Sequence, residues 1–98
     1  MTRLEEMKLR HPLIGDVRGR GLVIGIELVR DRESKQPANE AAESVLYRAL
    51  GRQLSFKTTM GNVLTLSPPL TITAAEMEVA LGIIEECIDE VERDEMGL

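Results

Sequence analysis

Apolar and polar residues alternate one by one from Leu22 to Val29. Leu22, Ile24, Ile26 and Leu28 interleave with Val23, Gly25, Glu27 and Val29. A period of two puts each set on its own face, so the run predicts a strand with one buried side. The preceding stretch from Ile14 predicts a partner strand, folded back through Arg18-Gly19-Arg20-Gly21. Gly19 and Gly21 supply that turn, because glycine reaches positive φ without a Cβ clash. Gly25 interrupts the second strand, and a missing side chain there predicts close approach by another element.

Elsewhere the period changes. Residues 2 to 10 have only Leu4, Met7 and Leu9 as apolar points. They predict a short helix that cannot stand alone in water and must dock on something or continue something longer. His11-Pro12 ends it, because the residue before proline avoids the α region. A polar loop with Pro37 runs from Asp31 to Asn39. A helix follows over about Ala38 to Leu50, with Ala42, Val45, Leu46, Ala49 and Leu50 as its apolar stripe and Gly51 placed to cap it. Leu54-Ser55-Phe56 predicts a strand, Thr58 to Asn62 a connection turning at Gly61-Asn62, and Val63 to Leu66 another strand ended by Pro68-Pro69. The last helix is announced by Thr73 and Glu76, a capping box in which each side chain satisfies a free N–H of the first turn. Met77, Leu81, Ile84, Ile88 and Val91 then recur at spacings of four and three, widened by Ala80, Ile83 and Cys87, with fraying expected beyond Arg93. Strand, strand, helix, strand, strand, helix predicts an α+β layer: a mostly antiparallel sheet of about four strands with helices packed on one face.

Composition narrows the function classes. With 98 residues, 43 % hydrophobic, one Phe, one Tyr and no Trp, the chain can bury a modest aliphatic core. No apolar run approaches the roughly 18–20 residues that a membrane span needs. Charge is uneven within a net of −5: from Thr73 onward nine acidic residues face one basic, Arg93. An acidic helix argues against nucleic acid as a partner and reads as a solvated face. Cys87 excludes an internal disulfide and suits a reducing cytoplasm; with no His near it in sequence it reads as core filler rather than a nucleophile. No signal-peptide pattern opens the chain, which agrees with a cytoplasmic location. His11, the one histidine, has no Cys or acidic neighbour in sequence, so it reads as a turn residue and not a metal ligand.

Two blocks carry a resemblance. VRGRGLVIGIELVRD followed by SKQPA, and GNVLTLSPPLTIT from Gly61 to Thr73, lie in order with a helix between them and a helix after. Together they resemble the small C-terminal domain of the class-III aminotransferases, which depend on pyridoxal phosphate (PLP). The resemblance covers about His11 to Val91. It implies that residues 1–12 are the remnant of a helix linking a large domain to this one, 13–93 the domain itself, and 94–98 a tail. It implies a missing large PLP-binding domain as partner and a homodimer in the parent enzyme. It also implies transfer of an amino group between an amine or amino acid and a 2-oxo acid.

The resemblance also says what the chain lacks. PLP chemistry needs a lysine that holds the cofactor and a carboxylate facing the pyridinium nitrogen. In the family both lie in the large domain, and Lys8, Lys35 and Lys57 read as surface charges. VRGRG leads into a strand and offers no helix N-terminus to an anion. The chain alone is therefore expected to bind no PLP and to catalyse nothing. Amino-acid-specific members carry an arginine for the substrate carboxylate on the strand before the double proline; that position is Thr65 here, which cannot form a bidentate clamp. Other members place a mobile arginine in the loop before the strand. That position is about Thr58, where Lys57 could act as a point charge. Otherwise Thr58, Thr59 and Thr65 are ordinary residues of a pleated surface. The rivals are a stand-alone α+β interaction module without catalysis and, more weakly supported, a small enzyme with a pocket between sheet and helices. No nucleophile–base or paired-carboxylate constellation supports the second.

Overall fold

The alternating run becomes β2 (Val23–Asp31), the central strand of the molecule. Around it, in chain order, lie α1 (Thr2–Arg10), β1 (Ile14–Arg20), β3 (Gln36–Pro37), α2 (Asn39–Gly51), β4 (Lys57–Thr59), β5 (Val63–Leu66) and α3 (Ala74–Met96). These elements come from a computed structural model that describes residues 2–20, 23–68 and 71–96. The strand order is β1-β2-β5-β4, with β3 added to β2, and every described pair is antiparallel. The chain is an α+β layer, as its element order predicts.

Register divides the sheet into two faces. Ile24 pairs with Leu66 and Ile26 with Leu64, and these four side chains belong to one buried cluster. Ala41, Ala42, Val45 and Ala49 of α2 join the same cluster, as do Leu81, Ile84, Cys87, Ile88 and Val91 of α3. Each large aliphatic side chain fully buried there stabilises the fold by about 1.5–3 kcal/mol. Leu4 and Met7 of α1 are also buried in it, so the weak N-terminal helix docks on its own domain. The opposite face is half-exposed at Gly25, Glu27 and Thr65, and Lys8 of α1 reaches the cleft beside its Asp16, Arg18 and Glu27.

Several local expectations are corrected. Gly19 does not form the turn: it lies in β1, paired with Ile24, and strand pairing continues to Arg20 and Val23. Gly21 and Leu22 lie outside the described residues, as does Pro69. The loop after β2 contains the two-residue strand β3, in which Pro37 faces Val29 at an edge where its missing N–H is tolerated. Gly51 does not cap α2. Gln53 adopts φ of 66°, and the N–H groups of Gln53 and Leu54 donate to the carbonyls of Leu50 and Ala49 at 3.0 Å each. That is a Schellman ending with glutamine in the left-handed position. It consumes Leu54, so the next strand begins at Lys57 rather than at Leu54. The helix α3 continues past Arg93 through Met96.

The capping box forms: Thr73 N–H donates to Glu76 Oε1 at 2.9 Å and Glu76 N–H to Thr73 Oγ1 at 3.1 Å. Gly15 marks an irregularity in β1, where pairing shifts between Ile14 and Asp16. A Cβ there would stand 2.7 Å from both Val29 methyls, so only glycine fits.

Candidate functional site

The open face of the sheet holds the residues singled out by resemblance. Lys57 is the direct cross-strand partner of Thr65, Thr65 of Gly25, and Gly25 of Arg18. These four therefore form one row across four strands, with neighbouring strands about 4.8 Å apart. In the next row Thr59 pairs with Val63, Val63 with Glu27, and Glu27 with Asp16. Thr59 and Thr65 lie diagonally on this face with their hydroxyl oxygens 3.0 Å apart. Thr58 pairs with Leu64 and so points to the helix side of the sheet. Thus the structure brings Lys57 and Thr65 together, adds Thr59, and separates Thr58 from them.

Charge on the open face is partitioned. Arg18 donates through Nε to Asp16 Oδ2 and through Nη2 to Glu27 Oε1, each at 3.2 Å. The two carboxylates are thereby tied to the β1 side. Lys57 is exposed and has no ion pair among the described residues.

A second cluster was illegible in sequence. His11 is 6 % exposed, with Nε2 2.9 Å from Glu85 Oε2 and Nδ1 2.7 Å from Glu92 Oε1. Each ring nitrogen thus faces a carboxylate oxygen. His11 is a turn residue as expected, with Ile14 N–H donating to its carbonyl at 3.0 Å, and its ring in addition forms a buried clasp with the two carboxylates. Arg3 and Arg10 also reach Glu85, at 2.8 and 2.9 Å, and Leu13 N–H donates to Glu92 Oε2 at 3.0 Å. Burial works to raise the Glu85 carboxyl, but hydrogen bonds from Arg3, His11 and Arg10 outweigh it and hold it at about 2 instead of 4.5. The acidic helix is thus not simply a solvated face: one side of it binds α1, and Glu90 and Asp94 bind Arg48 of α2.

His11, Asp89 and Glu92 bring potential metal-ligating atoms within 4.8 Å of one another. Both ring nitrogens already face carboxylates, and two guanidinium groups lie alongside, so a cation would have to displace bonds already made. The arrangement is suited to holding α1 on α3.

A polar cleft of about 560 Å³ lies between α1 and the β1–β2 edge, lined by Lys8, Asp16, Arg18, Glu27, Arg32 and Lys35 among others. Arg32 directs its guanidinium at carbonyls running from the last turn of α1 to the start of β1, donating to Lys8, to His11 at 3.0 Å and to Ile14 at 3.1 Å. Arg18 pairs both carboxylates of the cleft, which offers little apolar wall beyond Val29 for a pyridine ring. The residues present do not fit PLP, and no chemistry is derived through it on this chain.

Cys87 is fully buried, as expected of core filler. Burial pushes its thiol up, partly opposed by Arg52, whose Nη1 is 2.8 Å from Sγ. No helix of the described residues is long and apolar enough to cross a membrane.

A family model described as aminotransferase class-III matches residues 1–88. An (R)-1-hydroxy-2-aminoethylphosphonate ammonia-lyase of Vibrio splendidus is 50 % identical over 94 % of this chain and 19 % of its own length. A leucine/methionine racemase of Thermococcus litoralis is 44 % identical over 99 % of this chain and 22 % of its own. Among solved structures, an aminotransferase from Bacillus anthracis superposes with a TM-score of 0.79 at 38 % identity, covering 91 % of this chain and 22 % of its own. The chain spans about a fifth of the length of the relatives it matches.

Proposed function

The chain belongs to the class-III aminotransferase family, and from that premise we propose that it serves as the C-terminal small domain of a longer PLP-dependent enzyme. The parent reaction in this reading is transfer of an amino group between an amine or amino acid and a 2-oxo acid. The observation that carries it is the second face of the sheet, where an exposed Lys57 and half-buried Thr65 and Gly25 form one cross-strand row. A family domain representing a fifth of its relatives' length, with a half-exposed face of this kind, is suited to closing over a substrate held by the remainder.

In this reading residues 1–12 carry the chain in from the large domain, 13–93 form the small domain, and 94–98 end it. PLP is bound by the large domain and not by the 98-residue chain alone, whose three lysines and polar cleft do not suit it. The parent is a cytoplasmic homodimer. Lys57 and Thr65 face the substrate, whereas Thr58, on the core side of the strand, does not.

The test compares the 98-residue chain with the full-length protein of its source cells, whose mass is read by immunoblot and mass spectrometry. The expected results are a product several times larger than 10.9 kDa, PLP retained through gel filtration by the full-length protein alone, and amine-to-2-oxo-acid transfer by it alone. A native product of 10.9 kDa, or turnover by the short chain, overturns the reading.

A further inference from the structure

Helices α1 and α3 meet across a ladder of charges with matching periods. Arg3 Nε lies 2.5 Å from Glu78 Oε1 and Arg10 Nε 2.9 Å from Glu85 Oε2, so both helices advance by the same number of residues between the two pairs. Glu92, at the same spacing again beyond Glu85, faces the His11 ring at 2.7 Å. Each step is about two helical turns, and α1 and α3 therefore run side by side in the same direction. Parallel neighbours set like dipole ends together, which repels. The charge pairs and the buried Leu4 and Met7 hold α1 in place, not the helix dipoles.

The joint between α1 and β1 is fixed as well. A hinge is a few residues whose backbone is free to absorb changes of φ and ψ. From His11 to Ile14 the chain has no such freedom. His11 N–H donates to the Met7 carbonyl at 3.0 Å, and the His11 carbonyl accepts from Ile14 N–H at 3.0 Å. Pro12 has its φ locked by its ring. Leu13 N–H donates to Glu92 Oε2 at 3.0 Å, and the Leu13 carbonyl accepts from Val29 N–H at 2.8 Å. Leu13 and Ile14 are buried, and Arg32 ties the carbonyls of Lys8, His11 and Ile14 together. Bending the chain here breaks bonds to α3, to β2 and to the loop after β2 at once.

We propose that α1 is a rigid arm of the small domain, and that the pivot between the two domains of the parent enzyme lies N-terminal to Thr2, not at the 11–13 joint where the resemblance divides the chain. The clasp makes α1 the lever through which movement of the small domain reaches the large one. The pivot rests on the reading that a large domain precedes α1. The union of α1 with α3 stands on the described residues alone.

The experiment places spin labels at Leu9→Cys on α1 and Val79→Cys on α3, positions that are 83 % and 64 % exposed. Cys87 is buried and takes no label. Their separation is read by double electron–electron resonance in the full-length protein, with and without an amine donor. One narrow distance, unchanged within about 2 Å when the amine is added, is expected. A broad distribution or a larger shift overturns the rigid arm. Glu85→Gln combined with Glu92→Gln should broaden the distribution, and a narrow one in that variant overturns the clasp as its cause. For the pivot, Arg3→Cys and Glu78→Cys are joined by a short bifunctional thiol reagent in the full-length protein. Tying α1 to α3 should leave kcat within about twofold of the unjoined protein, whereas a loss of about tenfold or more places the pivot at the 11–13 joint. Absence of turnover with any amine overturns the enzymatic reading instead, and amide exchange then decides the pivot. Protection of about a hundredfold or more at His11, Leu13 and Ile14 supports it, and exchange near the unfolded rate refutes it.

Discussion

Acidification should unlock α1 from α3, and the size of the effect follows from one carboxylate. Glu85 accepts bonds from Arg3, Arg10 and His11 and is 18 % exposed. Its folded value of about 2 lies below the ordinary 4.5. A depressed carboxylate contributes stability that is fully present above its unfolded value. That stability is lost as pH falls from about 4.5 toward about 2, where the folded form also takes the proton. The full difference corresponds to about 3 kcal/mol. Partial exposure and salt screen it, leaving about 1–2 kcal/mol. The assay is urea unfolding of the chain at steps between about pH 5 and pH 2. Glu85→Gln, which keeps the shape but cannot ionise, is compared with Glu86→Gln on an exposed neighbour. Wild type and Glu86→Gln should lose about 1–2 kcal/mol more across that window than Glu85→Gln does. At neutral pH Glu85→Gln should already be weaker by a similar amount. Parallel pH curves for wild type and Glu85→Gln would refute the argument that this carboxylate carries the clasp.

Glycine substitutions should split by position. Gly15→Ala forces a Cβ to 2.7 Å from Val29 and should cost about 1–3 kcal/mol in urea unfolding, whereas Gly25→Ala meets only a 3.6 Å contact and should leave the chain's stability unchanged or slightly higher. Equal destabilisation at both sites would mean that Gly25 serves local packing. Cys87, buried with its thiol pushed up by that burial, should resist a thiol-specific reagent in the folded chain and react at the rate of free cysteine once urea unfolds it; rapid reaction under native conditions would show that α3 opens locally.

How far the sequence reaches is set by where the partners lie. The β2 alternation, the stripe of α3 and the Thr73–Glu76 box are local patterns, and each is realised. The clasp is not local: the partners of His11 are 74 and 81 residues away, so only the folded chain reveals that a lone histidine is held between two carboxylates. The displacement of β4 has a different cause. Gln53 takes the left-handed position that sequence reasoning reserves for Gly51, and a cap two residues later carries the following strand with it.

The open-face site lies between these cases. Resemblance puts Lys57, Thr58 and Thr65 near one another along the chain, but adjacency in sequence is a poor guide on a pleated surface. A one-residue step in a strand changes face. Lys57 and Thr65 are joined because they are cross-strand partners, and Thr58, though adjacent to Lys57, is excluded by the same register. Thr59, which sequence reasoning treats as ordinary surface, is returned to the group by being two residues from Lys57. The same pleat leaves Gly25 beside Thr65 and turns Ile24 and Ile26 inward. Burying one side of β2 thus fixes which groups the other side presents. The core and the site are two consequences of one register, so a slip that exposed the core residues would also dismantle the row of Lys57 and Thr65.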